Sequence, residues 1–503
     1  MNKRFLALVL VIGLLSTAAF GGTVFASEEE PLKLNFYYNS VNPIPPDALM
    51  IQHWNDYFNV DISVTLGEDM TSLNLLLAGN EIPDIFFVPL ADLAKYREQQ
   101  AIAEIPEERV KEYMPIYYDL AEQLVPGFFK YLKLDGKLYA LLGEMNTPYR
   151  GTIVYRGDWI EKLGKAMPTT LDEFEDLMYA FADDPDNTGK ETYGLSNTAF
   201  AAVYGAFGFP LAQWRERDGQ IVYSNVQPEI KEALGYLQKW YADGVIDPEF
   251  ITGENKGGYW ANSNAFIEGR IGTSSHGAYY HWAWFPGAQN YTNYTEMKEV
   301  NPKAAESFVF GVPLSTAKGP GVLGQGAPFN TGVVVFGQQL EDEPEKMIKL
   351  MEMQELFCTD QTIGTTAMLG FEGVHWAYDD LEVPVFIGAD NRDYNFLVTI
   401  GAHTVIMRMW PVRAFEWRDG PATNRWLAEN GYFEGGASSV LYTPLPSGGT
   451  YWTELNKLWD ETQIAIVTGE QPLDYFDDFV TRWMAEGGEI LTSEANAAYA
   501  SFN

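Results

Sequence analysis

Between Leu32 and Val88, three apolar runs of strand length alternate with two stretches of helical spacing. That rhythm constrains the fold more than any other feature of the chain. "LKLNFYYN" (32–39) alternates around its aromatic residues, "DALMIQHWNDYF" (47–58) has helical spacing, and "VDISVTL" (60–66) reads as a second strand. "DMTSLNLLLAGN" (69–80) reads as a helix stopped by Gly79, and "IPDIFFV" (82–88) as a strand buried on both faces. Strands separated by helices in this way predict a parallel sheet covered by those helices.

The alternation continues. "LDGKLYALL" (134–142) predicts a hairpin turn leading into a strand, and "GTIVYRGDWIEKLG" (151–164) a strand followed by a helix. In "PTTLDEFEDLMYAFADD" (168–184) either Thr169 or Thr170 can cap a helix, with Glu173 placed to complete a capping box. "TYGLS" (192–196) starts a strand, residues 229–250 form a helix ended by Gly244, and "FIEGRIGTSS" (266–275) is a turn and strand. "TGVVVFG" (331–337) is a strand, "PEKMIKLMEMQELFC" (344–358) a long helix, and the tail is helical. At 503 residues the chain is too long for one ordinary core, so the expected class is α/β in two lobes.

The formal net charge of −36 is spread along the chain. Such a surface repels phosphate backbones, which argues against nucleic acid and anionic membranes as partners. At the start, "MNKRFLALVLVIGLLSTAAFGGTVFASEEE" combines Lys3 and Arg4, an apolar stretch from Phe5 to Leu15, and small or compact residues at Val24-Phe25-Ala26. It reads as a secretory signal peptide over 1–26, cut before Ser27. Cleavage removes the two charges of Lys3 and Arg4 and takes −36 to −38. No later run reaches the length of a membrane span, so the mature chain is expected not to insert in the membrane. Cys358 is the sole cysteine, which excludes an internal disulfide and leaves no thiol near the cleavage site for a lipid anchor. A diffusing periplasmic protein, a monomer, fits these features. Cys358 falls on a helical apolar pattern and reads as a core residue, not a nucleophile.

"LLLAGNEIPDIFF", "LDGKLYALL", "VYRGDWIEKLGKAMPTTLDEFEDLMYAFADDPDNTGKETYGLS", "YADGVIDPEF", "FIEGRIGTSSHGAYYHW", "FEGVHW" and "ITGEQPLDYFDDFV" occur in that order. Together they resemble the extracellular solute-binding proteins of ABC importers, in the large oligosaccharide-binding branch. The resemblance implies a two-lobed periplasmic-binding-protein fold of type II-like topology. Each lobe would be a mainly parallel sheet flanked by helices, with a hinge crossed more than once and ligand held between the lobes. Division at 27–150, 151–312, 313–372 and 373–503 then assigns the first and third segments to one lobe, the second and fourth to the other. The implied partners are an oligosaccharide and the permease subunits of an importer. Many members carry a lipobox cysteine, where this chain has Ala26-Ser27.

A sugar presents apolar C–H faces rimmed by hydroxyls and calls for aromatic planes beside polar side chains. Carried over from maltose-type members, a strand end with a polar residue, a glycine and then an aromatic falls on "TSSHGAYYHWAWF" (273–285). That assigns Ser274 and His276 as polar contacts and Tyr279 as the stacking platform, with Tyr280, Trp282 and Trp284 as neighbours that cannot all face one cleft. Asn39 and Asn197 end strands. Glu144 and Tyr149 precede the first hinge crossing, and Trp376 and Trp410 lie in the returning segment. Each of these can serve a cleft or simple packing. Arg408 and Arg413 could meet a uronate or sulfate, or form salt bridges.

"DDPDNTGKETYGLS" (183–196) has the start of an oxygen-ligand calcium loop, with Asp184 first, Asp186 third, Thr188 fifth, Gly189 at the turn and the Lys190 carbonyl next. Glu191 then arrives early and Leu195 stands where an acid should close the site. The loop therefore reads either as a structural calcium clip or as a polar turn capped by aspartates. No cofactor is otherwise required. Two other functions compete: binding of peptides or another small solute by the same design, and a secreted glycan-degrading enzyme. No HExxH, GxSxG, Walker loop or CxxC occurs, and the five histidines lack metal spacing, so no catalytic set is expected.

Overall fold

The computed structural model describes residues 30–124, 127–145, 149–186, 189–252, 263–282, 292–326, 332–379, 384–388, 394–409, 417 and 421–502. The proposed signal peptide, Thr188, Trp284, Trp410 and Arg413 lie outside the described residues.

The expected alternation forms close to the expected bounds. β1 (Leu32–Asn39), α1 (Leu49–Phe58), β2 (Val60–Gly67), α2 (Met70–Ala78) and β3 (Ile85–Pro89) follow one another, and β1 pairs in parallel with both β2 and β3. Asp69 caps α2 by accepting the Ser72 N–H at 3.0 Å. The helix does not stop by a left-handed glycine: Gly79 keeps a helical φ of −79°, and Asn80 takes the positive φ of 59°. Asparagine tolerates that conformation because its short side chain hydrogen-bonds locally. β4 (Leu141–Leu142) completes this first run.

A second sheet collects β5 (Val154–Tyr155), β6 (Tyr193–Leu195), β7 (Ile271–Ser274) and β8 (Val309–Phe310) in the order β8-β5-β7-β6. Between β5 and β6 lie α3 (Gly157–Leu163) and α4 (Leu171–Phe181), and the expected capping box forms on Thr170 and Glu173. α5 (Pro228–Ala242) covers this lobe. The chain then returns with β9 (Gly332–Phe336), which enters the first sheet antiparallel between β3 and β4 and gives it the order β2-β1-β3-β9-β4.

Two large apolar cores accompany the two sheets, and among the described residues the chain changes core three times. The first core holds Leu34 to Met145, then Val333 to Trp417; the second holds Ile153 to Leu323, then Leu441 to Ala495. Trp376, Leu397, Val398 and Val405 to Met409 pack in the first core, although 373–503 was assigned to the second lobe. α6 (Pro344–Thr359) is the reason. Its buried Gln354 donates to the Ile406 carbonyl at 2.8 Å and accepts the Arg408 N–H at 2.7 Å, while the Cys358 thiol donates to the Met409 carbonyl at 3.2 Å. Burial pushes that thiol well above its usual range, in keeping with a core role.

The segments flanking the passages bind one another. Gly151 N–H donates to the Gly324 carbonyl, Leu323 N–H to Gly435 and Gln325 N–H to Ala437, all at 2.8–2.9 Å. Arg150, 1% exposed, sits at this junction. Its guanidinium donates to the carbonyls of Gly431 (3.1 Å), Gly151 (3.2 Å), Gly311 (2.9 Å) and Asn430 (3.2 Å) and lies over the Tyr432 ring.

Candidate functional site

In an open α/β sheet the loops outside the carboxyl ends of the strands build the ligand site. In the first sheet, β1 ends at Asn39 and β4 runs into Gly143 and Glu144. Beside them lies the 403–408 segment that α6 anchors. These elements surround a cavity of about 410 Å³ lined by Tyr38, Asn39, Phe87, Glu144, Thr404 and Arg408, with His403 and Met407 alongside.

Each wall has a local cause. Phe87 of β3 is partly buried, and two glycines leave room for its ring. A Cβ at Gly143 would stand 2.3 Å from the ring, and one at Gly332 would stand 2.0 Å from it. The Tyr38 and Thr404 hydroxyls share a hydrogen bond at 3.1 Å. Arg408 donates from Nη1 to the Thr404 carbonyl at 3.2 Å, and its guanidinium stands 5.1 Å from the Tyr38 ring centre. His403 holds a φ of +63°, fixed by its N–H to the Met368 carbonyl, and its Nδ1 lies 3.2 Å from Thr404 Oγ1. Non-glycine residues adopt that region at some cost, and such positions concentrate at functional sites. The cavity thus offers aromatic rings, an amide, a carboxylate, a hydroxyl and a guanidinium within one concavity. That set suits a polyhydroxylated ligand.

The second strand end is built differently. Ser274 closes β7 fully buried, with Oγ 2.8 Å from Ser263 Oγ and 3.3 Å from Thr198 Oγ1, and it accepts the His276 N–H at 3.2 Å. Tyr279, 6% exposed, packs edge-on against Tyr149 at 5.0 Å and among Trp426 and Tyr432. Trp282 is fully buried, donates its indole N–H to the His276 carbonyl at 2.7 Å and packs on Phe266 and Phe308. His276 itself is buried, and Tyr280 stacks on His281. Tyr279 and Trp282, expected as platform and cleft neighbour, are thus buried, because the aromatic density of this stretch packs against itself. Trp376 lies buried in the first core and donates its indole N–H to the Gly370 carbonyl at 2.8 Å. Asn197 is half-buried at the end of β6, with Ser196 Oγ 3.5 Å from its Oδ1.

Of the expected contacts, the cavity brings together Asn39 and Glu144, with Arg408 beside them. Sequence reasoning missed Phe87, Tyr38, His403 and Thr404. A signal for Phe87 existed in hindsight, since Gly143 and Gly332 both stand next to apolar strands where a side chain would ordinarily pack.

In the acidic loop the carboxylates of Asp184 and Asp186 already have protein partners. Asp186 Oδ2 accepts the Trp159 indole N–H at 2.8 Å and its Oδ1 accepts from Lys162 Nζ at 3.2 Å, while Asp184 Oδ2 accepts the Gly189 N–H at 2.7 Å. Lys190 and Glu191 are exposed. Among the described residues no group of three or more His, Cys, Asp or Glu side chains could hold a metal ion.

Two α/β cores joined by repeated passages of the chain, with a cavity outside the strand ends, define a two-lobed binding protein. The chain belongs to the bacterial extracellular solute-binding proteins, whose family profile matches residues 51–343. It is 29% identical over 292 residues to the polygalacturonan/rhamnogalacturonan-binding protein YtcQ of Bacillus subtilis (strain 168), an overlap of 54% of this chain and 56% of that protein. The chain thus spans about half the length of that curated relative. Among solved structures, an HMO-binding, ABC-transporter-associated solute-binding protein of Bifidobacterium longum infantis superposes with a TM-score of 0.68 at 12% identity, over 93% of this chain and 98% of that one. The alginate-binding protein AlgQ2, solved without calcium ion, superposes with a TM-score of 0.63 at 15% identity, over 94% and 98%. At these identities the structural likeness speaks for the fold. No helix of the described residues is long and apolar enough to cross a membrane.

Proposed function

We propose that this chain is the substrate-binding component of an ABC importer, capturing an oligosaccharide between its lobes and delivering it to membrane permease subunits. It works outside the membrane as a monomer and catalyses no reaction. The observation that carries this reading is the cavity at the carboxyl ends of the first sheet, where the Phe87 face stands beside Asn39, Glu144, Thr404 and Arg408. Phe87 stacks on a sugar ring, and the polar residues take its hydroxyls. Two relatives whose names specify polygalacturonan or rhamnogalacturonan and alginate support the carbohydrate class. We assign the lobes by core membership, the first as 30–145 with 332–417 and the second as 149–326 with 421–502. Ligand favours the closed arrangement by touching both lobes at once, which shifts the population toward it.

The test is the melting temperature of the protein against neutral oligosaccharides, uronate oligosaccharides and peptides. Ligand at about 100 times its Kd adds roughly 2.7 kcal/mol, a readily seen shift. A shift with an oligosaccharide recovered intact is expected. A shift with peptides alone would overturn the sugar reading, and a sugar returned cleaved would overturn the claim that the chain only binds.

A further inference from the structure

The 184–191 loop ties the end of α4 to the start of β6, the position in which its ligand-like spacing invites a divalent cation. The geometry shows what stands there instead. Trp159 and Lys162 are three residues apart on α3, so their side chains leave the same face of that helix. Both reach the carboxylate of Asp186, the indole at Oδ2 and the ammonium at Oδ1. Arg156 Nη2 lies 4.0 Å from the same Oδ2, and its guanidinium is itself held over the Trp159 ring and bidentate to the buried Asp158 at 2.7–2.8 Å. On the other side of the loop, Asp184 bends with a φ of 38°, accepts from Gly189, and passes its own N–H to Thr192 Oγ1 at 3.2 Å. Thr192 Oγ1 donates in turn to the Phe181 carbonyl at 2.8 Å.

Calcium takes about six to eight oxygens at roughly 2.3–2.6 Å. Here the third-position carboxylate has both oxygens engaged by protein donors, one of them cationic, and a second cation is close by. A divalent ion on Asp186 would have to expel Lys162 and face Arg156. We infer that Lys162 is the resident cation of this loop, clipping it to α3 in place of a metal ion. Partial burial works against the charged form of Asp186, yet the Trp159 indole and the Lys162 ammonium outweigh it and hold the carboxyl below its usual range. This inference is independent of the ligand in the cleft.

Terbium is the probe, because an indole in contact with the loop would sensitise its luminescence. With the full protein, no saturable terbium signal is expected, and neither calcium nor chelator moves the melting temperature. A saturable signal with one equivalent of terbium, lost on Asp186→Asn and competed by calcium, would overturn the inference. Lys162→Met should lower the melting temperature by about 1–2 °C, the scale of a partly exposed ion pair. Lys162→Arg should restore most of the loss. An unchanged melt for Lys162→Met, or a loss fully additive with that of Asp186→Asn, would overturn it equally, since a clip requires the two residues to act as one unit.

Discussion

Strand ends of both sheets carry polar and aromatic residues and use them in opposite ways. At the first, Asn39, Glu144, Thr404 and Arg408 surround open space with Phe87 as one wall. At the second, Ser274, His276, Tyr279 and Trp282 are buried, bonded or stacked to one another and to Tyr149, Trp426 and Tyr432. Aromatic density alone therefore does not mark a binding face. Where aromatics have aromatic neighbours from other segments they make core. Where glycines leave room, as Gly143 and Gly332 do beside Phe87, a partly buried ring lines a cavity.

The sharpest way to break this contrast is to empty the packed end. Trp282→Ala should cost about 3–5 kcal/mol in denaturant unfolding, the scale of deleting a fully buried indole. A loss of ligand affinity without that loss of stability would mean that Trp282 serves the cleft after all. Next is the junction held by Arg150. Arg150→Met leaves four carbonyls without their guanidinium and should cost on the order of 3 kcal/mol. A readily folded, equally stable variant would show that the passages between the cores are held by their backbone pairing alone.

At the open end the order of effects reverses. Phe87→Ala should weaken oligosaccharide binding by about 10- to 100-fold, as expected for a lost stacking face, and should cost less stability than Trp282→Ala. Glu144→Gln removes a charged acceptor and should weaken binding by about tenfold, with little change in the melt. Isothermal titration with whichever oligosaccharide shifts the melt reads both. The smallest effect is the pH dependence of the Asp186 clip. Its folded-state pKa is depressed, so the stability it adds is present above the unfolded carboxylate range, near pH ~4, and is lost as pH falls through the folded value. The melting difference between the native chain and Lys162→Met should therefore shrink toward zero on acidification.

Much of the fold was legible because its causes are local. Alternation at Leu32–Asn39, the Thr170–Glu173 capping box and the left-handed Gly244 each act over a few residues, and the structure places them close to their expected bounds. The candidate site was legible only at or just past a strand end, as at Asn39 and Glu144. His403, Thr404 and Arg408 come to the cavity through Gln354 and Cys358, some fifty residues away in the chain, and no local pattern announces that pairing.

By itself the sequence determined the α/β class, the parallel start of the first sheet and the need for two cores, since periodicity, caps and chain length act without long-range contacts. Tertiary structure alone decided that Trp376, Leu397, Val405 and Trp417 join the first core, that Tyr279 and Trp282 are buried while Phe87 lines a cavity, and that Asp186 meets Lys162. The physical reason is the same in each case. A side chain's exposure depends on which distant segments pack over it, and that is settled when whole layers bury their apolar faces together.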